Sequence, residues 1–478
     1  MEFDQGETEC PSKRDNKLSD VSEPASKKQY TSAELECKPP SVFMSSQLRH
    51  TILQGICEPS VFRAGCKWKC IDWTHDDWSM QFSDEVLPLR FGPRLDEGTS
   101  LDQPVWESSC TKGEMTYSKL LKWASGQQSY STTFGSEAES SKHWAYVDYF
   151  YMKNLANSSQ LREIINWGAY GFPERGIDDS TLWIGTLGAN TPCHIDTYGC
   201  NLVAQIMGRK RWVLFPKSQS SLLSSTRTPY EESSIYSQAG FPRPSLLSHP
   251  KLCHTTPYVV TLEPGDVLFV PKHWWHSVEN LNFSISINTW LELPSDEEER
   301  VREAIVMYQV NSLCQGIHSL DLIHSVFNPN MTDIAVMGPT QALKILSERV
   351  FGCNHSKEFN NKEGNGIAKK PNVKTESDIT MAYPLVGDKV APMNQAGSIP
   401  GMEIVQCLSF SHYMQMVYGD KGEMVHKNMS CLSASQNKEA ESESDSVNCE
   451  QLKLLINVFT DPQVVDVIKT VLDEKLNH

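Results

Sequence analysis

From about residue 46 to residue 294 the apolar positions fall into short runs and alternations, a pattern of strands rather than helices. The cleanest alternation is Phe283-Ser284-Ile285-Ser286-Ile287-Asn288-Thr289-Trp290. Successive strand side chains point to opposite faces. Phe283, Ile285 and Ile287 are therefore expected on a packed face, and Ser284, Ser286, Asn288 and Trp290 on a face bordering a wet cavity. Leu202 to Ile206 and Lys210 to Phe215, joined by Met207-Gly208-Arg209, read as a hairpin with a glycine turn. Pro264-Gly265-Asp266 marks another turn, followed by the strand Val267 to Val270, which Pro271 stops. Many short strands between turn signals predict a mainly β fold, a jelly roll or double-stranded β-helix with flanking helices.

The pattern changes at Ser295. Asp296 to Glu299 place acids on a first helical turn, and Val301, Ala304, Ile305, Tyr308 and Leu313 follow near helical spacing. The apolar face of this helix offers a contact for a homodimer. Residues 354–449 are dominated by Asn, Ser, Lys, Glu and Gly, and residues 1–45 by Ser, Lys, Glu and Pro; neither composition buries enough apolar surface to offset chain entropy. Asp461-Pro462 then starts a helix with Val464, Val465, Ile468, Val471 and Leu472 along one stripe. The predicted organisation is a disordered tail 1–45, a β domain 46–294, a helical extension 295–353, a disordered linker 354–449 and a C-terminal helical segment 450–478.

Charge narrows the partners. Of 478 residues, 43 are Lys or Arg and 59 Asp or Glu, a formal charge of −16. That balance disfavours nucleic acid and anionic membranes, whose binding needs a basic footprint. No run approaches membrane-spanning length, and the acidic start lacks a secretory pattern. Fourteen scattered cysteines then read as reduced thiols in the cytosol or nucleus. Cys66 and Cys70, with His75 nearby, lack a second pair at zinc spacing and are expected to be simply buried.

The candidate chemistry lies in Thr191-Pro192-Cys193-His194-Ile195-Asp196. In an extended chain His194 and Asp196 share a face and can ligate one metal. Trp274-Trp275-His276 can add a third ligand from elsewhere in the barrel. Two histidines and a carboxylate leave coordination positions open, the arrangement of non-haem Fe(II) oxygenases; zinc accepts the same ligands, so the set alone does not choose the metal. Lys210, on a face with Trp212 and Leu214, is costly to bury without an anion. The distal carboxylate of 2-oxoglutarate is a fitting partner, with a hydroxyl from Thr191. His273, Trp274 and Trp275 are expected to pack around the pocket rather than react.

With Asn201, Gly208-Arg209-Lys210-Arg211-Trp212, Leu214-Phe215-Pro216, Pro264-Gly265-Asp266 and Pro271-Lys272-His273-Trp274-Trp275-His276, these motifs resemble the JmjC domain. The likeness spans about residues 50–300 and is strongest to the cupin-like hydroxylase branch that includes the asparaginyl hydroxylase of hypoxia-inducible factor. It implies a cupin/JmjC-type double-stranded β-helix, Fe(II) ligands at His194, Asp196 and His276, and 2-oxoglutarate contacts at Thr191, Lys210 and Tyr146. Asn201 and Asn288 match polar residues lining that pocket, and Trp290 an aromatic at its wall. The implied activity is hydroxylation of a protein side chain, which the Asp ligand fits. Segments such as Trp144-Ala145-Tyr146 and Ser180 to Gly185 are similar to JmjC proteins that associate with a small heat shock protein. That implies such a partner, a cytoplasmic location and a part in the stress response. A non-catalytic adaptor that keeps the barrel as a scaffold is the alternative.

Overall fold

Two antiparallel sheets carry the alternating segments. The computed structural model describes residues 47–96, 98–131, 137–155, 159–226, 234–314, 338–358, 399, 401–419 and 446–476, all within the unit Val42–His478. The larger sheet has nine strands in the order β16 (Met402–Ile404), β1 (Ser60–Phe62), β13 (Val267–Val270), β9 (Cys200–Met207), β15 (Ser284–Leu291), β7 (Thr181–Gly185), β6 (His143–Tyr151), β2 (Val86–Pro93) and β3 (Thr111–Thr116). The smaller has five, in the order β11 (Ser234–Tyr236), β8 (Asn190–Asp196), β14 (Trp275–Asn280), β10 (Lys210–Phe215) and β12 (Tyr258–Leu262). A short ribbon, β4 (Tyr130–Ser131) with β5 (Glu137–Ala138), stands apart.

The alternation of β15 sorts its residues as expected. Ile285 and Ile287 join an apolar layer with Leu202, Ala204, Leu182, Ile184, Ala145 and Val147, while the helices His75–Phe82 and Tyr117–Ala124 add Trp78, Phe82, Leu120 and Trp123 to the same layer. Ser286 and Asn288 belong to the opposite face and are buried through hydrogen bonds instead. The outer face of the smaller sheet has its own cover: Cys193, Ile195, Val213, Phe215 and Trp275 pack with Phe410, Tyr413 and Met414. Most apolar burial lies outside the two sheets; between them Val203, Trp212, Leu214, Leu268 and Val278 form a smaller apolar cluster that shares the space with the polar side chains.

Several expectations are corrected. β9 and β10 do not form a hairpin: β9 pairs with β13 and β15, and β10 with β12 and β14. The Gly208 turn carries the chain from one sheet to the other. Alternation fixes the face of each strand but not its partner, and both pairings satisfy it. The stretch 354–449, expected to be a disordered linker, contains two ordered elements. β16 extends the larger sheet by pairing with β1, and the helix Phe410–Tyr418 buries Phe410, Tyr413, Met414 and Tyr418. Its apolar side chains are too few to stand alone and are stabilised by the sheet they cover. The remainder of that stretch lies mostly outside the described residues, and the tail 1–45 lies wholly outside them.

The helix predicted after Ser295 runs Asp296–Leu313, followed by Pro339–Glu358, Ser446–Phe459 and Pro462–Leu476. Asp296 is buried where this helix meets the barrel, accepting from the backbone N–H groups of Gly199 and Leu293 and from Lys272 at 2.7 Å. Val310 and Cys314 of this helix pack with Leu452 and Ile456 farther along the chain. Cys66 and Cys70 are buried, and burial pushes both thiols up to about 12, which makes them inert.

Gly208 sits at φ +63°, where an added Cβ would lie 2.0 Å from the carbonyl oxygen of Phe283. Gly208→Ala is expected to destabilise the protein by about 2–3 kcal/mol, read as a lower midpoint in thermal denaturation.

Candidate active site

The inner strand faces bring the predicted residues together. β8 presents His194 and, two residues on, Asp196; β14 pairs beside it with His276 opposite His194. The imidazole rings stand 4.2 Å apart between centres. His194 Nε2 lies 3.6 Å from one Asp196 oxygen, and His276 Nε2 lies 3.9 Å from the other. Donor atoms from all three residues fall within 4.8 Å of one another, and among the described residues no other group of His, Cys, Asp and Glu meets that condition.

Hydrogen bonding aims the imidazoles. His194 Nδ1 lies 2.8 Å from the carbonyl of Pro192, and His276 Nδ1 lies 3.0 Å from that of Trp274. A carbonyl only accepts, so each Nδ1 carries the proton and each Nε2 turns an open lone pair toward Asp196. Burial, with His194 alongside, pulls the His276 pKa down to about 4, although Asp196 opposes the shift. His276 is thus neutral at physiological pH, as a ligand must be. Both histidines are buried, whereas the Asp196 side chain is 24% exposed, so the cluster opens on the carboxylate side. Trp290 donates its indole N–H to Asp196 at 3.5 Å. These donors fit a divalent ion with coordination positions left over, Fe(II) among the choices.

Lys210 is not part of a solvated basic turn. Its side chain is almost wholly buried, while Arg211 leaves the pocket to pair with Glu279. The Lys210 ammonium donates to Ser286 Oγ at 2.6 Å and lies 5.4 Å from the centre of the Tyr146 ring. Among the described residues no carboxylate forms an ion pair with it. Burial accordingly drops its pKa from 10.5 to about 7. A cation held in this way is a socket for an anion. Tyr146, whose hydroxyl hydrogen-bonds Thr191, completes that end of the pocket. Asn288 donates to Asn201 at 2.9 Å and accepts from the Trp183 indole at 2.7 Å, forming a polar wall. All nine residues singled out from sequence lie on these inner faces.

Other neighbours carried weaker signals in the sequence. Tyr236 stacks on His194 with ring centres 5.4 Å apart, and Trp212 on His276 at 5.7 Å. Tyr236 comes from the three-residue strand β11, too short for a periodicity to reveal. Trp183 packs against Trp290 at 6.4 Å and against Tyr149 at 4.7 Å. Ser286 was legible as polar among aliphatic neighbours, but its pairing with Lys210 needs both sheets.

Comparison with known proteins points to the same kind of fold. Residues 66–297 match the family model of the cupin-like domain. HSPB1-associated protein 1 of Bos taurus is 42% identical over 267 residues, which cover 55% of this chain and 54% of that protein. The Rattus norvegicus protein of the same name is 34% identical over 363 residues, 74% of each. Lysine-specific demethylase JMJ31 of Arabidopsis thaliana is 30% identical over 118 residues, 24% of this chain and 21% of that protein. The chain spans about half the length of the bovine relative.

The lone lysine has a measurable signature. Unfolded, it keeps its proton to 10.5; folded and without ligand, it loses it near 7. Between those values the unfolded state binds more protons, so stability rises with pH, and below about 7 the cost of burying the cation is present in full. Lys210→Met removes this cost. Its thermal midpoint in the ligand-free state is expected to exceed that of the wild type below pH 7, with the gap closing as pH approaches 10.5.

Proposed function

The chain belongs to the cupin-like JmjC family, on the branch of HSPB1-associated protein 1, and we propose that it is an Fe(II)- and 2-oxoglutarate-dependent oxygenase that hydroxylates a protein side chain. The observation that carries this reading is the pairing of two features in one cavity: a two-histidine, one-carboxylate cluster and a buried lysine with no anionic partner among the described residues. A hydrolytic metal site would need the first but not the second.

His194 and His276 offer Nε2 to the metal because their Nδ1–H groups are engaged by backbone carbonyls. Asp196 supplies the anionic ligand, oriented by the Trp290 indole. Lys210 takes the distal carboxylate of 2-oxoglutarate, helped by Tyr146 and Thr191, and the arriving charge restores the ammonium that burial had weakened. Asn201 and Asn288 line the cavity beside these groups and hold its wall rigid. Bound there, the metal supplies dioxygen activation coupled to decarboxylation of 2-oxoglutarate to succinate, delivering one oxygen atom to a substrate C–H bond. Tyr236 and Trp212 brace the two imidazoles, and the open Asp196 side is where a substrate side chain would approach.

The association with HSPB1, a small heat shock protein, is extended to this chain from the names of relatives, and with it a cytoplasmic place and a role in stress response. Among the described residues no helix is long and apolar enough to cross a membrane. The charge of −16 favours a protein over a nucleic-acid substrate.

Anaerobic titration of the purified protein with Fe(II) and 2-oxoglutarate tests the reading, following the visible charge-transfer band of the ternary complex. The band is expected in the wild type and absent in His276→Ala. Lys210→Ala is expected to weaken 2-oxoglutarate binding by about tenfold or more, the scale of losing one charge-assisted contact. No band from well-folded wild-type protein would overturn the oxygenase and leave the adaptor reading.

A further inference from the structure

Arg90 is a charged residue in an apolar strand. Its neighbours Leu89 and Phe91 turn to the outer apolar layer, while Arg90 turns the other way and is 5% exposed. Its guanidinium makes contacts on every side. Nε donates to Asp148 Oδ2, and Nη2 donates to the carbonyl of Asn190 at 2.9 Å. Nη1 reaches Cys110 Sγ at 3.6 Å, and Glu107 lies 3.7 Å away. The guanidinium carbon stands 5.2 Å from the centre of the Trp144 ring and 5.3 Å from that of Tyr146. Burial opposes the charge, but Asp148 and Glu107 outweigh it, and the group stays cationic.

The placement of these contacts points to more than a structural ion pair. Arg90 and Tyr146 are register partners on β2 and β6 of the larger sheet. Asn190 lies on β8 of the smaller sheet, immediately before Thr191. One planar side chain therefore touches Tyr146 on one sheet and the backbone next to Thr191 on the other, and the hydroxyls of those two residues meet. The Tyr146 ring has Arg90 at 5.3 Å and Lys210 at 5.4 Å from its centre. Asp148 lies at the irregularity between Val147 and Phe150 in β6, next to Tyr149 at φ +50°. A guanidinium can satisfy such divergent acceptors at once because its five N–H donors are fixed in a plane, which an ammonium cannot imitate.

We propose that Arg90 is the positioning residue of the 2-oxoglutarate pocket, setting the spacing between Tyr146 and Thr191 across the two sheets so that their hydroxyls meet a single carboxylate. The inference rests on the cosubstrate reading above. It assigns Arg90 no contact with metal or substrate; its influence passes through Tyr146 and through the Asn190 carbonyl.

The test is calorimetric titration of the full chain, first with Fe(II) under anaerobic conditions and then with 2-oxoglutarate, on wild type, Arg90→Lys, Tyr146→Phe and the double variant. Arg90→Lys is expected to weaken 2-oxoglutarate binding about tenfold, in the range found for supporting residues behind a ligand shell, while Fe(II) affinity without 2-oxoglutarate stays within about twofold. Its effect is expected to shrink in the Tyr146→Phe background, because a residue acting through another shows non-additivity. Asp148→Asn keeps the cation but loosens its fork, and should weaken 2-oxoglutarate binding in the same direction by less. It decides the matter should Arg90→Lys fail to fold. Unchanged 2-oxoglutarate affinity in the folded variants overturns the role of Arg90, as does an equal loss of Fe(II) affinity or full additivity with Tyr146→Phe. A wild type that binds Fe(II) but not 2-oxoglutarate overturns the cosubstrate reading itself, and this inference with it.

Discussion

The pairing of β8 with β14 sets the site. It places His276 directly opposite His194, and the two-residue repeat of a strand brings Asp196 to the same face. A slip of one residue would turn His276 outward and replace it with Trp275 or Ser277. Each histidine is also oriented by a carbonyl two positions earlier in the chain, Pro192 within β8 for one and Trp274 just before β14 for the other. Ligand identity, ligand direction and proton position thus follow from one backbone register.

That arrangement requires a polar space between the sheets, which is expensive to maintain in a protein interior. The chain limits the cost by placing most of its apolar burial on the outer faces, while Val203, Leu214, Leu268 and Val278 fill the rest of the space between the sheets. Leu182, Ile184, Ile285 and Ile287 pack away from the cavity beneath the N-terminal helices, and Ile195, Val213, Phe215 and Trp275 pack beneath the helix Phe410–Tyr418. The inner polar groups are then satisfied in pairs: Asn288 with Asn201, Trp183 with Asn288, and Trp290 with Asp196. Lys210 stands out among them, because a serine hydroxyl only partly compensates a buried ammonium.

The C-terminal portion supports this framework from a distance in sequence. β16 extends the larger sheet beyond β1, and the backbone beyond it reaches β12 on the smaller, where Val259 N–H donates to the Gln406 carbonyl at 3.0 Å. Tyr413 then bonds the Pro242 carbonyl, tying the helix Phe410–Tyr418 to the loop before β12. Farther along, Leu452 and Ile456 cover the helix that Asp296 anchors. Segments that look unpromising alone become ordered where the β domain offers them a partner, the usual outcome when burial rather than propensity supplies the stability.

The sequence by itself determined the strand-rich middle, the inward face of Ser286, Asn288 and Trp290, and the His-x-Asp pair with a later histidine and a lone lysine. Those features are local: they depend on a two-residue period, turn residues and a handful of side chains whose chemistry is unusual for a barrel interior. Tertiary structure alone decided which strands pair, so the turn at Gly208 became a crossing between sheets instead of a hairpin. It alone placed Tyr236 on His194, and Arg90 between Tyr146 and Asn190. It also set Val310 and Cys314 against Leu452 and Ile456 of a distant helix. The physical reason is common to all four. A residue's face is fixed by its own backbone, but its neighbours across the sheets are fixed by contacts between segments tens to hundreds of residues apart, and no local period records them.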